Sequence, residues 1–482
     1  MLVRTRFAPS PTGYMHIGNL RTGLYAYCLA RHFGGKFILR IEDTDQKRNN
    51  PKTLQVIYNS LRLAGLEYDE GPDREGGYGP YIQSQRKELG IYQKYADELV
   101  EAGYAYRCFD AGQLLLPLAG GGKPEADRRK TRYDACRFFS PEEVKTRVDE
   151  GQPFAIRQRI PQEGATTFID SVFGNITIKN ALLDDQILVK SDGFPTYNFA
   201  NVVDDHLMEI THVMRGVEYL SSTPKYNLLY QAFGWDIPEY IHLPHIIKEG
   251  GKKLSKRSGD ASFQDLIAKG YLPEAIVNYI ALLGWNPGSD QEFFTLNDLV
   301  NEFEIKRINK SKATFSLPKL EWLNAEHIRK LPAERFHALA LPYYPKEVLK
   351  ACNMILLSQV IQSRVTVLSN IPAMVSFFGN LPEFNLNLFV FEKNKSTMET
   401  SQQVLKELGV RLEELTVWNG DQIKKLLMDY GTQAGLKVGT VMWPLRVALS
   451  GQQFTPGGAI EIAEILGKPE TLRRIKLALD RY

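Results

Sequence analysis

The sequence has 482 residues, of which 43% are hydrophobic and 24% are charged, so a disulfide-stapled scaffold and a disordered chain are excluded and about three domains are expected. Its 59 Lys and Arg residues against 56 Asp and Glu give a net charge of +3. That balance excludes a uniformly basic nucleic-acid coat, and any polyanion site must be a local patch.

The sequence contains no long apolar segment. No run approaches about 18 apolar residues, and residues 1–10 lack the apolar region of a secretory leader. Four cysteines stand at long spacings without CxxC pairs, which is typical of reduced thiols. We therefore expect a cytoplasmic protein that does not interact with membranes.

The N-terminal segment predicts one βαβ unit. Apolar runs and turn residues predict a strand over 2–8, a turn over 9–18, a helix over 20–33 and a strand over 37–41. In such a unit, ligands bind beyond the carboxyl ends of the strands. We therefore expect a ligand site at residues 9–19 and 42–45.

After the βαβ unit, predicted helices and strands are mixed up to about residue 255, and predicted helices follow. Periodicity predicts helices over 51–64, 89–102, 226–233 and 469–480, strands at 168–178 and 187–190 in an insertion, and further strands over 198–203 and 211–214. After about residue 255, Ser262 can cap one helix and Pro273 can open the next. The predicted fold class is an α/β Rossmann-type catalytic domain with an α+β insertion, followed by all-α C-terminal domains.

The segment over residues 6–19, RFAPSPTGYMHIGN, carries the most chemistry. Gly13 and Gly18 allow close backbone approach, and a helix that begins near Gly18 offers free N–H groups to a phosphate. His16 can donate a hydrogen bond to charge that develops there. The alternative is a plain strand-to-helix connection, which is the commoner meaning of an isolated HIG string.

A second segment over residues 252–260, KKLSKRSGD, places several cations and a hydroxyl group next to a glycine. Such a loop can close over a triphosphate and neutralise charge during phosphoryl or adenylyl transfer. Taken alone, it is more often a solvated basic loop.

In this order, the two segments resemble the paired signatures of class I aminoacyl-tRNA synthetases. The resemblance is closest to the bacterial type of glutamyl-tRNA synthetase, covers nearly the whole chain and rests on residues 6–13, 40–45, 195–198, 201–206 and 214–216. Two departures from the class-wide signatures are Asn19, where a second histidine is usual, and the KLSKR form of the lysine loop. An amide at position 19 can still donate a hydrogen bond.

The resemblance implies a residue set for each substrate. Two glutamate carboxylates need cations or hydroxyl groups, and the ammonium needs an anion. The implied glutamate-binding residues are Arg6, Ser10, Glu42, Tyr197, Asn201 and Arg215, with Asp45 nearby. The implied ATP-binding residues are Pro9, Ser10, Gly18, Asn19, Lys253, Ser255, Lys256 and Arg257. The implied catalytic residues are His16, Lys253 and Lys256. Outside this motif context, Arg6 and Arg215 would fit structural ion pairs with Glu42 or Asp204 equally well.

We predict no metal ligands in the protein itself. Asp204, Asp205, His206 and His212 have an unsuitable spacing for a metal site. A zinc site that some glutamate enzymes carry resembles Cys108, Asp110, Tyr133 and Cys136, but this is a poor tetrahedral set, and we do not expect bound zinc. The resemblance implies ATP as a substrate and Mg²⁺ on its phosphates.

The implied function is a glutamate–tRNA ligase, expected to be a monomer, that forms glutamyl-adenylate and esterifies tRNA(Glu); the sequence leaves open whether tRNA(Gln) is charged too. The predicted domains are the catalytic halves 1–85 and 194–255, an acceptor-end insertion 86–193, a stem-contact domain 256–330 and an anticodon region 331–482. Candidate phosphate contacts are the basic residues within 306–330 and 128–132, each of which also fits a solvated face.

Two alternatives remain. A tRNA-modifying glutamyl transferase would share the catalytic half, but such enzymes lack a region like 331–482. An RNA-binding module that has lost catalysis would not need His16, Glu42 and Lys256 together.

Overall fold

The computed structural model describes residues 2–45, 51–109, 135–251, 254 and 262–482. The chain divides into two compact units, Met1–Leu266 with Ile276–Ser316 and Ile267–Ala275 with Leu317–Tyr482. None of the helices in the described ranges is long and apolar enough to cross a membrane. The α/β first unit and helical second unit confirm the predicted fold class, while the five predicted domain boundaries stay predictions.

The first unit contains every strand found in the described ranges. The strands are β1 (Arg4–Phe7), β2 (Lys36–Leu39), β3 (Ala105–Cys108), β4 (Ala155–Gln158), β5 (Ala165–Asp170), β6 (Gly174–Lys179), β7 (Ile187–Val189), β8 (His212–Gly216), β9 (Glu239–Leu243), β10 (Ile246–Lys248) and β11 (Ala313–Phe315). They form a six-stranded sheet of order β2-β1-β8-β9-β5-β6, a three-stranded sheet β3-β4-β7 and the pair β10-β11.

The main sheet begins with the predicted βαβ unit, which is confirmed. Strands β1 and β2 are parallel and are joined by helix α1, Ile17–His32. The helix buries Leu20, Leu24 and Cys28, the three-to-four spacing that the sequence shows. It ends before Gly34, whose φ of 61° is the left-handed conformation that glycine favours. Strands β8 and β9 continue the sheet in parallel, which aligns their carboxyl ends.

The strand pair over 165–179 was wrongly assigned to the insertion. Strands β5 and β6 form an antiparallel hairpin, and β5 joins the main sheet through a parallel bridge between Asp170 and Tyr240. Alternating apolar residues predict strands but not their partners, because pairing is decided by contacts distant in sequence. Only β3, β4 and β7 form the separate antiparallel sheet.

The strand predicted over 198–203 is also wrong, because this segment lies in the helix Tyr197–Leu207. Phe199 and Val203 are four residues apart and fully buried on one side of it. A short apolar run does not distinguish a buried helix from a strand, and here the helix places Asp204 and Asp205 in the interior.

The remaining α-helices of the first unit confirm most predicted positions. They are Pro51–Leu63, Gln83–Glu88, Ile91–Glu101, Pro141–Asp149, Tyr197–Leu207, Thr223–Phe233, Phe263–Ala268 and Leu296–Glu302, while Pro273–Leu282 begins in the segment assigned to the second unit. Ser262 accepts a hydrogen bond from the Asp265 amide, as expected of an N-cap. Pro273 is the first residue of its helix, as predicted.

The second unit, all of whose residues are described, contains helices and no strand. Its helices from residue 317 onward are Leu317–Lys330, Ala333–Ala340, Lys346–Ala351, Met354–Gln362, Ile371–Gly379, Met398–Glu413, Gly420–Gln433, Val438–Ser450 and Ala459–Leu479, the last interrupted at Gly467. Its core includes Phe336, Leu408, Leu445 and Ile462. The Arg474 guanidinium is fully buried there and donates to the carbonyl oxygens of Phe377, Phe378 and Leu449.

Candidate active site

A polar cavity of about 740 Å³ lies in the first unit, lined by residues at the carboxyl ends of β1, β8 and β9. Residues from both segments that the sequence assigns to a ligand site, 9–19 and 42–45, are in its lining. The predicted site residues that line it are Arg6, Pro9, Ser10, His16, Gly18, Asn19, Glu42, Tyr197 and Arg215. The parallel strands of the βαβ unit explain this location, since their carboxyl ends open at one edge of the sheet.

The N-terminus of α1 is built around His16. Its backbone carbonyl accepts from the Asn19 and Leu20 amides, and its Nδ1 accepts from the Gly18 amide at 3.0 Å. Because Nδ1 accepts, a neutral imidazole carries its proton on Nε2. A Cβ at position 18 would lie 3.1 Å from Nδ1, so a larger residue there would crowd the imidazole. The sequence predicts free backbone N–H groups near Gly18, but this is wrong for the Gly18, Asn19 and Leu20 amides, which donate to His16 itself. The site instead offers an imidazole donor at the positive end of a helix, a combination suited to a phosphate.

A buried network of charges supports the floor of the cavity. Asp205 accepts from Arg6 Nε at 3.0 Å and Nη2 at 3.2 Å, and from Arg40 Nη1 at 2.7 Å. Arg40 also donates to Glu42 Oε1 at 2.9 Å. Burial alone would raise the pKa of Asp205, but the adjacent Arg40 and Arg6 groups hold it below its ordinary value. Arg6 is thus already neutralised by a carboxylate of the protein.

Glu42 differs from Asp205 in how completely its charge is compensated. Only its Oε1 has a hydrogen-bond partner among the described residues, and the side chain is 3% exposed. Burial raises the pKa of Glu42 in spite of Arg40 and Arg6. A cation placed in the cavity would therefore be attracted to the remaining carboxylate oxygen.

Arg215 is one of three buried arginines that line the cavity, with Arg6 and Arg21, and it has no carboxylate partner in the described ranges. Its Nε donates to His242 Nε2 at 3.1 Å and its Nη2 to Thr223 Oγ1 at 2.9 Å. Its remaining nitrogen, Nη1, has no hydrogen-bond partner among the residues that the structure describes. An anion in the cavity would meet a desolvated guanidinium that makes no direct ion pair with any carboxylate of the described residues.

One predicted site residue is absent from the cavity lining, and four others lie outside the described residues. Asn201 is buried in its helix, donates to the Tyr197 carbonyl at 2.7 Å and is absent from the cavity lining. Its role in glutamate binding stays a prediction. Lys253, Ser255, Lys256 and Arg257 lie outside the described residues. Leu254, between them, is buried and lines the cavity.

The candidate metal ligands have other partners. Asp204 accepts from Arg86, Gln83 and Tyr92, while the His206 ring stacks on Trp235 with centroids 3.7 Å apart. Within the described ranges, no three His, Cys, Asp or Glu side chains converge as a metal-binding group. Cys108 and Cys136 are buried, whereas Asp110 and Tyr133 lie outside the described residues, as does the basic cluster at 128–132. The expectation of no bound zinc stays a prediction.

Sequence reasoning missed His242 and Thr223, which contact Arg215, and Asp170, which contacts His242. No local motif marks them, because Arg215 and His242 meet only through the parallel register of β8 and β9. Reading HVMRG and EYIHL as neighbouring parallel strands would have placed the two side chains opposite each other.

Comparisons with known proteins agree over the whole chain. The family model for the catalytic domain of class I tRNA synthetases (E and Q) matches residues 2–322, and a model for an anticodon binding domain matches residues 335–479. Glutamate–tRNA ligases from Clostridium botulinum and Clostridium acetobutylicum are 53% and 54% identical, each alignment covering 99% of this chain and 98% of the relative.

Solved structures give the same result. A crystal structure of a glutamate tRNA ligase from Elizabethkingia meningosepticum in complex with its amino acid superimposes with a TM-score of 0.85 at 33% identity, covering 100% of this chain and 99% of the other. The glutamate–tRNA synthetase structure from Elizabethkingia anophelis has a TM-score of 0.84 at 33% identity.

Proposed function

Because the chain belongs to the class I tRNA synthetases for glutamate and glutamine, on the branch of the glutamate–tRNA ligases, we propose that its cavity activates glutamate with ATP and transfers the glutamyl group to the terminal adenosine of tRNA(Glu). The family match supports the reaction. The contacts in the cavity support the roles that we assign to individual residues in this reaction.

One observation carries the choice of substrate. Two cavity residues with almost fully buried side chains, Glu42 and Arg215, each present one polar atom that has no partner among the described residues. Within those residues they do not pair with each other. An amino acid with an ammonium group and an acidic side chain supplies the missing partner to both, so Glu42 binds the α-ammonium and Arg215 binds the side-chain carboxylate. Tyr197 and Ser10 line the same space.

The first step joins glutamate to the adenylyl group. An α-carboxylate oxygen attacks the α-phosphorus of ATP, the bond to the bridging oxygen breaks, and pyrophosphate leaves. His16 donates from Nε2 to the phosphate oxygens, and the positive end of the α1 dipole adds to the attraction. Lys253 and Lys256, assigned from sequence, neutralise charge on the same phosphates. No protein nucleophile is needed, because positioning and charge stabilisation suffice.

Magnesium enters with ATP in this proposal. The ion bridges phosphate oxygens and neutralises their charge as part of the substrate. Since the described residues contain no convergent set of metal ligands, we assign it no ligand from the chain.

The second step transfers the glutamyl group to RNA. A ribose hydroxyl of the terminal adenosine attacks the carbonyl carbon of the adenylate, and AMP leaves as the ester forms. We assign the acceptor end to 86–193, the inner elbow to 256–330 and the anticodon to 331–482, which overlaps the anticodon binding match. Bases unstacked in a single-stranded loop are accessible to such a helical domain.

We further propose that the enzyme works as a monomer in the cytoplasm, where charged tRNA is consumed by translation. The anticodon match at residues 335–479 favours a ligase over a tRNA-modifying glutamyl transferase. The question left for experiment is whether the enzyme charges tRNA(Gln) as well as tRNA(Glu).

Aminoacylation tests the proposal. Purified tRNA(Glu) and tRNA(Gln) are added separately to enzyme, ATP and radiolabelled glutamate, and acid-precipitable label is counted. Label on tRNA(Glu) supports the ligase, and label on both RNAs means that the cell needs a further enzyme to convert glutamyl-tRNA(Gln). Label on neither would overturn the proposal in favour of an RNA-binding module.

A further inference from the structure

Three adjacent strands of the main sheet bring together one residue each behind the cavity. Arg215 on β8 lies opposite His242 on β9 in the parallel register. Asp170 ends β5, and its Oδ2 lies 2.6 Å from His242 Nδ1. Both the imidazole and the carboxylate have no exposed surface. Asp170, His242 and Arg215 therefore form a continuous chain from the interior to the cavity.

The hydrogen bonds fix the position of the His242 proton. Asp170 Oδ1 accepts from the Val172 and Phe173 amides, and Oδ2 accepts from the His242 amide at 3.1 Å. A carboxylate only accepts, so Nδ1 carries the proton and donates to Asp170. The lone pair on Nε2 then receives the Arg215 Nε–H at 3.1 Å. Burial lowers the pKa of His242, which agrees with a neutral ring.

The rest of the Arg215 guanidinium is also held. Thr223 Oγ1 accepts from Nη2 while donating to the Tyr219 carbonyl at 3.0 Å. The guanidinium carbon lies 4.6 Å from the ring centre of Tyr226 and 5.1 Å from that of Tyr240. Aromatic faces and neutral acceptors orient a cation without cancelling its charge by a direct ion pair. Only Nη1 is left to meet a ligand.

A neutral imidazole between the two charges has a physical consequence. If Asp170 contacted the guanidinium directly, as Asp205 contacts Arg6, an internal ion pair would compete with the substrate carboxylate. Placing His242 between them keeps the negative charge one side chain away while its lone pair still aims the guanidinium. The arrangement parallels the carboxylate–histidine pairs that orient functional groups elsewhere.

We propose that Asp170 and His242 are positioning residues for glutamate binding: Asp170 holds the proton on His242 Nδ1, and Nε2 aims Arg215 so that Nη1 meets a substrate carboxylate. This inference rests on the proposed role of Arg215 in binding glutamate. It predicts that a change at either residue acts on glutamate binding and not on ATP binding.

Asp170→Asn is the sharpest variant, because it preserves size and the acceptor for the Val172 and Phe173 amides, and it changes only the atom that faces His242, whose backbone amide also loses its acceptor. Its amide group would donate to Nδ1, move the imidazole proton to Nε2 and turn that atom from an acceptor into a donor facing Arg215. We expect KM for glutamate in tRNA(Glu) charging to rise by about 10-fold or more, the size of losing a hydrogen bond to a charged group. KM for ATP should stay within about 2-fold of the wild-type value.

Two substitutions of His242 test whether its hydrogen-bonding atoms, rather than the shape of its ring, position Arg215. Gln retains one donor and one acceptor, whereas Phe retains the ring shape without either. KM for glutamate should therefore rise more for His242→Phe than for His242→Gln. His212→Gln is the matched control, since His212 pairs with Glu239 at 3.2 Å on the same two strands but at their amino ends. It should leave both KM values unchanged.

Arg215→Lys distinguishes the role of Arg215 in glutamate binding from the positioning role of Asp170 and His242. A raised KM for glutamate in Arg215→Lys, together with wild-type values in folded Asp170→Asn and His242→Gln, would overturn the positioning role but keep the role of Arg215. A wild-type KM in Arg215→Lys would overturn both. A fall in kcat alone for the Asp170 and His242 variants, with both KM values unchanged, would also overturn the inference. If His242→Phe does not fold, Asp170→Asn and His242→Gln decide the question.

Discussion

Arg6 and Arg215, two of the three buried arginines that line the cavity, differ in what surrounds their charge. Arg6 donates two hydrogen bonds to Asp205 and one to the Met214 carbonyl. Among the described residues, the Arg215 guanidinium contacts an imidazole, a hydroxyl group and aromatic rings but no carboxylate. The sequence assigns both to substrate carboxylates, but the contacts favour Arg215 for direct binding. The direct role of Arg6 stays a prediction.

Glu42→Gln tests the ammonium site at the level of one residue. The amide keeps the shape but removes the charge that attracts the α-ammonium, and a charge-assisted hydrogen bond contributes about 1.5–3 kcal/mol. We therefore expect KM for glutamate in aminoacylation to rise by about 10- to 100-fold, with a smaller change in KM for ATP.

Glu70→Gln is the matched control for this variant. Glu70 is also buried and accepts from Arg4 at 2.8 and 3.0 Å, but it does not line the cavity. It should lower stability without changing KM for glutamate. Equal KM values for the Glu42 variant and the wild type would contradict the ammonium assignment.

Asp205→Asn tests the charge network through its pH dependence. Breaking a buried ion pair from one side costs about 3–5 kcal/mol, because Arg6 and Arg40 lose their shared carboxylate. The pKa of Asp205 is lower in the folded state than in the unfolded chain. Its charge therefore stabilises the fold above the unfolded pKa of about 3.9, and this stabilisation is lost as the pH falls towards the folded value.

Urea denaturation of both proteins measures that effect. The difference in free energy of unfolding should be constant between about pH 7 and 5 and should shrink as the pH falls below about 4. A difference that is independent of pH over the whole range would show that the Asp205 charge does not stabilise the fold.

At the level of elements, the first turn of α1 places the imidazole of His16. Its Nδ1 accepts from the Gly18 amide, and a Cβ at position 18 would lie within 3.1 Å of the same atom. Gly18→Ala should displace the ring and lower kcat for aminoacylation by at least about 10-fold, the lower range for losing a donor to a developing charge.

Gly409→Ala is the matched glycine substitution. Gly409 lies inside the helix Met398–Glu413, where an added Cβ would meet Ile475 at an ordinary 3.6 Å. It should keep wild-type kcat and gain about 0.5–1 kcal/mol of stability. Wild-type kcat in Gly18→Ala as well would contradict the positioning of His16.

The sequence predicts helices and strands well where a periodic apolar pattern is bounded by residues that start or end a helix. The β1-α1-β2 unit is found because Gly34 follows a clear helical spacing, and the Ser262 cap and Pro273 start are found for similar local reasons. The 198–203 segment is missed because a short apolar run fits both helix and strand. The β5-β6 hairpin is misplaced, and His242 is overlooked, because strand partners depend on distant contacts.

At the scale of the whole molecule, activation and tRNA binding belong to different parts of the chain in our proposal. Lys256→Ala should therefore lower adenylate formation at least 100-fold, as expected for loss of a cation at the transferring phosphate, while tRNA affinity stays within about 2-fold. Single-turnover release of pyrophosphate and filter binding of tRNA(Glu) measure the two quantities. Unchanged adenylate formation would remove Lys256 from the catalytic set.

Discrimination between glutamate and glutamine tests the central claim most directly, since the two differ by one carboxylate charge. We would measure kcat/KM for charging of tRNA(Glu) with each radiolabelled amino acid. An amide would leave buried Arg215 without an anionic partner, so we predict a value for glutamine at least about 1,000-fold lower. Comparable values for the two amino acids, or no charging with glutamate, would contradict a cavity built for an acidic side chain.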